Sequence, residues 1–212
     1  MNRKEITLGA DPEFFVEHSG HFVLAEKTGI TGTKQRPTPL RHGGAVQVDG
    51  CALEFNIQPA RTALEFDNNI ETTISDIRQV VDRSFGFRFI PSVTFGKDEW
   101  DTGSTESKML GCDPDYDAYT MRTKTPPQGS GDKPFRTAAG HIHIGFTDAD
   151  PQDPSHIFDC AILSQYLDMS LGQHSVCWDN DLERQRLYGE KGSFRPKPYG
   201  MEYRVLSNAW VL

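Results

Sequence analysis

The sequence predicts an α+β protein built on a largely antiparallel sheet. Three observations lead there. Short extended stretches carry polar residues at every second position, one strongly periodic helix interrupts them, and the order is strands, helix, strands, helices, strand. That order does not give the regular alternation of a wound βαβ series.

Taken along the chain, Ile6 to Leu8 and Phe14 to Glu17 read as extended on either side of Asp11 and Glu13. The turn Glu17-His18-Ser19-Gly20-His21 leads into Phe22 to Ala25, which makes a hairpin. Lys27 to Gly44 shifts to Gly, Thr, Pro and basic residues, a loop whose Lys27, Lys34, Arg36 and Arg41 suit an anionic ligand. Ala45 to Asp49 and Ala52 to Ile57 form the next strand pair. There Leu53, Phe55 and Ile57 share one face and Glu54, Asn56 and Gln58 the other. Thr62-x-x-Glu65 is a capping box. Phe66, Ile70, Ile74, Ile77 and Val81 then recur at helical steps.

Phe87 to Phe95 returns to strand. Gly96 to Thr137 keeps no clean period and is expected to hold short elements and to cover the site; its alternating Asp113, Asp115 and Asp117 lack the Gly and distal Glu of a calcium loop. Gly140 to Phe146 alternates His141 and His143 with Ile142, Ile144 and Phe146, so that one face is polar and the other packs. Asp153-Pro154 reads as an N-cap and first helical position, opening a helix with Phe158, Ile162 and Leu167 among its apolar positions. A second helical stretch is expected from about Ser175 through Leu187, then a Gly-containing loop to Arg195. Gly200 to Ser207, with Glu202 and Arg204, is the last polar-faced strand.

At 212 residues the chain fits a single domain, 1–212. A chain of that length buries roughly 70% of its unfolded surface. A formal net charge of −8 argues against sequence-independent nucleic-acid binding, which needs a cationic surface. No stretch reaches the ~18 apolar residues of a membrane span, and Met1 to Gly9 lacks the apolar run of a signal peptide, so a cytoplasmic location without membrane partners is expected. Cys51, Cys112, Cys160 and Cys177 contain no Cys-x-x-Cys pair and read as reduced, structural thiols.

Each polar pair alone also fits a solvated sheet face, but four together suggest one shared site. Converging acids repel and need a cation, and carboxylate oxygens suit Mg²⁺ or Mn²⁺. His141-x-His143 also fits a zinc pair, though catalytic zinc motifs more often set two histidines four apart on a helix. Arginines beside a metal suggest phosphate, with Arg136, Arg195 and Arg204 as candidates. No P-loop and no Gly-x-Gly-x-x-Gly occurs.

Gly9-Ala10-Asp11-Pro12-Glu13-Phe14-Phe15 resembles the first acidic strand of the glutamine synthetase and glutamate-cysteine ligase superfamily, Gly140 to His143 its His-x-His strand, and Glu202-x-Arg204 its closing strand. Asp49 to Asn56 and Tyr188 to Gly192 resemble stretches of the phage and bacterial amidoligases, COOH-NH2 ligases of type 2. The resemblance implies a curved sheet like the glutamine synthetase catalytic domain, with helices on its outer face. It implies an ATP- and Mg²⁺- (or Mn²⁺-) dependent carboxylate-amine ligase that forms an amide or peptide bond through an acyl phosphate. The metal ligands it implies are Asp11, Glu13, Glu54, His141 and Glu202. Arg136, Arg195, Arg204 and His143 would lie near ATP phosphates, Asp49 and Asn56 near substrate or metal water, and Glu13, Glu54 and Arg204 would be catalytic. Small-molecule or peptide carboxylates and amines would be the substrates.

Asp11 stands where glutamine synthetases carry Glu, which implies ligation through water or to one metal only. The chain stops at Leu212, just past the last site strand, so further enclosure is expected from oligomerisation or a partner protein. Were the gene a phage's, the compartment would be the host cytoplasm. The same residues leave open a non-catalytic phage structural or host-interaction protein on this scaffold, and a metal-dependent hydrolase or phosphotransferase.

Overall fold

The structure, a computed structural model, describes residues 5–108, 114–124, 133–147 and 149–211. In chain order it begins with strands β1 (Ile6–His18), β2 (His21–Val23), β3 (Thr38–Pro39), β4 (Ala45–Asp49) and β5 (Ala52–Asn56), then helix α1 (Ala63–Val80). Strands β6 (Phe85–Arg88) and β7 (Ser92–Thr94), helices α2 (Lys97–Thr102) and α3 (Thr105–Lys108), and strands β8 (Asp115–Asp117), β9 (Thr123–Lys124), β10 (Phe135–Thr137) and β11 (Gly140–Phe146) follow. The chain closes with α4 (His156–Leu167), α5 (Gln173–Ser175), α6 (Leu182–Leu187), β12 (Ser193–Lys197) and β13 (Gly200–Tyr203). Cys112 and Asp113 lie outside the described residues.

Among the described residues, eleven strands form one sheet whose main path runs β3-β4-β5-β1-β11-β13-β12-β8-β9, and β7 and β10 form a separate pair. Every registered pair is antiparallel, so the expected α+β class with a large antiparallel sheet is what the chain adopts. The two extended stretches read before and after Asp11 are one strand. Pro12 does not break it, because even-numbered residues turn toward β5: Leu8 N–H donates to Ala60 and Ala10 C=O accepts from Ile57, and the donor missing at Pro12 falls on that side, leaving the β11 ladder whole.

The even-numbered face of β1 carries Ala10, Phe14 and Val16 into a core with Leu53, Phe55 and, from α1, Ile70 and Ile77. On the same face Ile144, Met201 and Tyr203 pack with Cys160 and Ala161 of α4. Both helices therefore cover the face opposite Asp11, Glu13, His141, His143 and Glu202. Thr62 caps α1 by accepting from Glu65 N–H (3.2 Å), and Glu65 reaches back to Arg61 N–H (2.7 Å), a variant of the expected capping box.

Four expectations are corrected in detail. The strand read from Phe87 to Phe95 is split at Pro91, whose carbonyl accepts from Ala138 N–H, so β6 stays in the large sheet and β7 leaves it. Helix α4 begins at His156, with Asp153 accepting from Ser155 N–H in the turn before it. It buries the small Cys160, Ala161 and Ser164 and leaves Phe158 and Ile162 exposed, because small residues let the helix lie close on the sheet. The stretch from Ser175 to Leu187 breaks before Asp181, which caps α6 through Arg184 N–H at 2.9 Å.

Arg184 of α6 is 1% exposed and ties the ends of the two site strands together. Its guanidinium donates to Ala138 C=O just before β11 (3.2 Å), and to Leu206 (2.9 Å) and Val205 (3.4 Å) beyond β13. Removing it takes a donor from each of these carbonyls, of which Leu206 keeps the Gly140 N–H. Arg184→Ala is expected to cost about 3 kcal/mol in urea unfolding, against about 1 kcal/mol for the exposed cap variant Thr62→Ala. Equal losses would show that Arg184 carries no such role.

Candidate functional site

The site follows from strand register. Asp11 lies directly opposite His141, Glu13 opposite Glu54, His143 opposite Glu202, and Glu202 opposite Arg195, so side chains from five strands meet on one face. Two residues beyond Glu13 on that face, Phe15 packs with Ala52, Phe95 and Trp100 in an apolar cluster that borders this end of the site. Gly140, at the head of the histidine strand, admits the Trp210 indole, which donates to its carbonyl at 2.9 Å; a Cβ there would meet that nitrogen at 2.4 Å.

Two groups of ligand atoms lie within 4.8 Å of one another, Asp11 with His143 and Glu202, and Glu13 with Asp49 and Glu54. Their electrostatics differ. The first is surrounded by cationic side chains. Glu202 bonds the Arg204 guanidinium, lies 2.7 Å from Lys197 Nζ and 3.6 Å from Arg195, and is 3.3 Å from His141 Nδ1. Burial alone would raise the Glu202 and Asp11 carboxyls, but the imidazoles outweigh it, with Arg204 and Lys197 helping at Glu202; Glu202 is held down to about 2 and Asp11 well below the usual carboxylate range.

The second group lacks such company. Burial first, then Asp49 and Asp11, push Glu13 up to about 8, against the Ala139 N–H that donates to it at 2.9 Å. Burial, Asp11, Asp49 and Glu13 likewise raise Glu54 well above the carboxylate range. Glu13 and Glu54 therefore keep protons unless a cation replaces them.

The donor chemistry fits Mg²⁺ or Mn²⁺, since one group is all carboxylate and the other two carboxylates with an imidazole. Asp11 Oδ1, His143 Nε2 and Glu202 Oε2 are buried without an aligned hydrogen bond, although each has a charged neighbour within ion-pair distance. Those orphaned lone pairs belong to one candidate ligand set.

Of the residues singled out in the sequence, Asp11, Glu13, Glu54, Glu202, His141, His143, Arg195 and Arg204 are brought together, and Asp49 joins the ligand set of Glu13 and Glu54. The two histidines differ in their surroundings, although His141 Nδ1 also lies 3.3 Å from both Asp11 and Glu202. His143 shares the carboxylate group, while His141 Nδ1 and Nε2 face Arg204 Nη1 and Tyr188 OH, each at 3.3 Å. Burial first, then Arg204, hold His141 below its ordinary value; at His143 the pull of Asp11 overcomes burial and raises it.

Arg136 stands apart. Its guanidinium donates to the carbonyls of Lys133 (2.9 Å), Phe135 (2.7 Å) and Lys108 and lies 4.4 Å over the Trp100 ring. Asn56 is exposed, two residues beyond Glu54 on the same face of β5. Lys27, read as facing an anion, is paired with Glu99 at 2.5 Å. Cys51, Cys160 and Cys177 are free thiols. Burial pushes Cys51 and Cys160 up to about 12, which leaves them without thiolate character.

The sequence reading missed Lys197 and Tyr199 and gave Asp115 no role. Lys197 follows Arg195 by two residues on the same face of β12, the alternation used elsewhere, and reaches Glu202; Tyr199 OH meets His143 Nδ1. No protein-family model matches the chain, and no curated protein sequence matches it. Fold and site define a mixed α+β protein with paired acidic and histidine clusters on one face of an antiparallel sheet. No helix among the described residues is long and apolar enough to cross a membrane.

A raised carboxyl keeps a proton that the unfolded chain has lost, so stability falls as pH rises from the ordinary 4.5 toward 8. Below about 6.5 the lowered His141 works the opposite way, so the clean window lies between there and 8. In EDTA the thermal midpoint is expected to fall across that window, and Mg²⁺ or Mn²⁺ to remove most of the fall by taking the protons' place. His143, raised by Asp11, adds to the same slope, so Glu13→Gln flattens only part of it. A midpoint in EDTA that stays level would contradict this account of the carboxyl triad.

Proposed function

We propose that this chain is an ATP- and Mg²⁺- or Mn²⁺-dependent carboxylate-amine ligase, an amidoligase of the glutamine synthetase and glutamate-cysteine ligase kind. One observation carries the reading: two candidate cation clusters stand side by side on one sheet face, with Arg195, Arg204 and Lys197 beside one of them. Cations next to fixed guanidiniums suit a polyphosphate better than they suit a neutral substrate.

In this reading Glu13, Asp49 and Glu54 hold one cation, and Asp11, His143 and Glu202 a second. The cations supply charge neutralisation for the phosphate oxygens. A substrate carboxylate oxygen attacks the γ-phosphorus of ATP, the bond to the β-phosphate oxygen breaks, and ADP leaves. Arg204 and Arg195 stabilise the transferring phosphoryl group with preset donors. An amine nitrogen then attacks the acyl carbon of the resulting acyl phosphate, phosphate departs, and the amine's proton is lost, leaving an amide. The apolar cluster of Phe15, Phe95 and Trp100 limits water on its side of the site, which disfavours hydrolysis of the activated acid. Arg136, held over Trp100 by carbonyls outside both carboxylate groups, is left out of the phosphate set.

Melting the protein in Mg²⁺ with a non-hydrolysable ATP analogue, in Mg²⁺ alone and in EDTA tests the reading. At ~100 times the dissociation constant the analogue is expected to add about 2.7 kcal/mol, a few degrees, only when metal is present. Glu202→Ala is expected to abolish that gain. With substrates found, ADP and phosphate should appear only when carboxylate and amine are both supplied; release indifferent to both would replace the ligase by a hydrolase or phosphotransferase.

A further inference from the structure

Asp115 opens β8 and is buried, yet it belongs to neither carboxylate group. The register of β8 against β12, Ser193 with Asp117 and Phe194 with Tyr116, brings it opposite Arg195 one step further on. Its Oδ1 lies 3.1 Å from Arg195 Nη2 and 2.7 Å from Arg204 Nε. Glu202 meets the same two guanidiniums, bonding Arg204 Nη1 and lying 3.6 Å from Arg195 Nη1. Acids and guanidiniums therefore alternate around a closed ring, Arg195, Asp115, Arg204, Glu202.

We propose that Asp115 is a positioning residue for a phosphate-binding arginine pair, keeping Arg195 and Arg204 in place while Glu202 turns its charge to a cation. The proposal rests on the ligase reading above, and it answers a conflict inside that reading. Glu202 is engaged by two arginines and Lys197, and it is also a candidate cation ligand. A carboxylate shared with a divalent ion neutralises the guanidiniums less, and two adjacent guanidiniums then repel. Asp115 stays on both of them, in a buried position where ion pairs are only weakly screened. The polyphosphate consequently meets a pair of arginines already ordered, and the ordering cost falls on the fold and not on binding.

Calorimetric titration of Mn²⁺ alone and of Mn²⁺ with ADP into wild type, Asp115→Asn, Asp115→Ser and Asp115→Glu tests it, with melting in EDTA as the check on folding. Both uncharged variants are expected to weaken the Mn²⁺–ADP complex about tenfold or more, as loss of one charged hydrogen bond, to Arg195, and one ion pair, to Arg204, does. Asp115→Glu recovers most of that affinity. The Mn²⁺ site of Glu13, Asp49 and Glu54, which shares no residue with the arginine ring, keeps its affinity for Mn²⁺ alone in all four proteins. Should one uncharged variant not fold, the other decides. Uncharged variants that bind Mn²⁺–ADP within about twofold of wild type overturn the proposal and leave the ligase reading standing. Equal weakening of Mn²⁺ alone, without recovery in Asp115→Glu, also overturns it, since Asp115 would then serve the fold only. A wild type that does not bind Mn²⁺–ADP removes the ligase reading, and the proposal with it.

Discussion

Mutual repulsion among carboxylates is the constraint under which this sheet face is built. Asp11, Glu13, Asp49, Glu54, Asp115 and Glu202 all stand on it, and most are partly or fully buried. Each negative charge withdrawn from water needs a positive partner, a proton or a metal ion. The protein answers differently at the two ends. Around Glu202 it supplies guanidiniums, an ammonium and the His143 imidazole from β11, β12 and β13, and Asp11 and Glu202 stay ionised. Around Glu13 it supplies little beyond one backbone N–H, and Glu13 and Glu54 hold protons there. A cation is therefore more strongly favoured at the second end, where it displaces protons rather than competing with fixed positive charge.

The backbone makes this division by position alone. β1 pairs with four strands along its length, and its odd-numbered residues meet three different environments in turn: the histidine strand at Asp11, the acidic strand at Glu13, and the aromatic cluster at Phe15. Because its partners change along its length, neighbouring acids two residues apart receive opposite electrostatics. Of the even-numbered residues, Ala10, Phe14 and Val16 share one apolar core with α1 and the Phe55, Phe87 and Phe89 rings, so the packing face is apolar where the chemical face is graded.

Much of this was legible because a strand has period two. Asp11 with Glu13, His141 with His143, and Glu202 with Arg204 can be assigned to common faces without coordinates, and Phe14 next to Glu13 and the intervening Ile142 and Tyr203 to the packing face; all of them fall so. What period two does not encode is which strands are neighbours. His141 and His143 share a face by sequence, but only the register shows that the first lies opposite Asp11 and beside Arg204, and the second opposite Glu202. Arg136 was illegible for another reason. A guanidinium fits three carbonyls as well as it fits phosphate, and the local sequence is the same in both cases. Pro91 was a legible breaker that the apolar run around it masked.

The histidines show how much follows from that register. His141 has a partner on each nitrogen, Arg204 on Nδ1 and Tyr188 on Nε2, and burial with the nearby guanidinium disfavours its charged form. It is a fixed element of the wall. His143 has Tyr199 on Nδ1, while its buried Nε2 lies 3.1 Å from Asp11 without an aligned bond. Asp11 Oδ1 and Glu202 Oε2 are unaligned in the same way. Three atoms left short of partners in one small volume are costly in a buried site unless something else completes them, and a proton does so only in part, because it serves one lone pair at a time. A divalent cation serves all three at once. Two histidines on one face of one strand thus differ in kind, the first saturated by its neighbours and the second left with an unsatisfied nitrogen directed at two carboxylates.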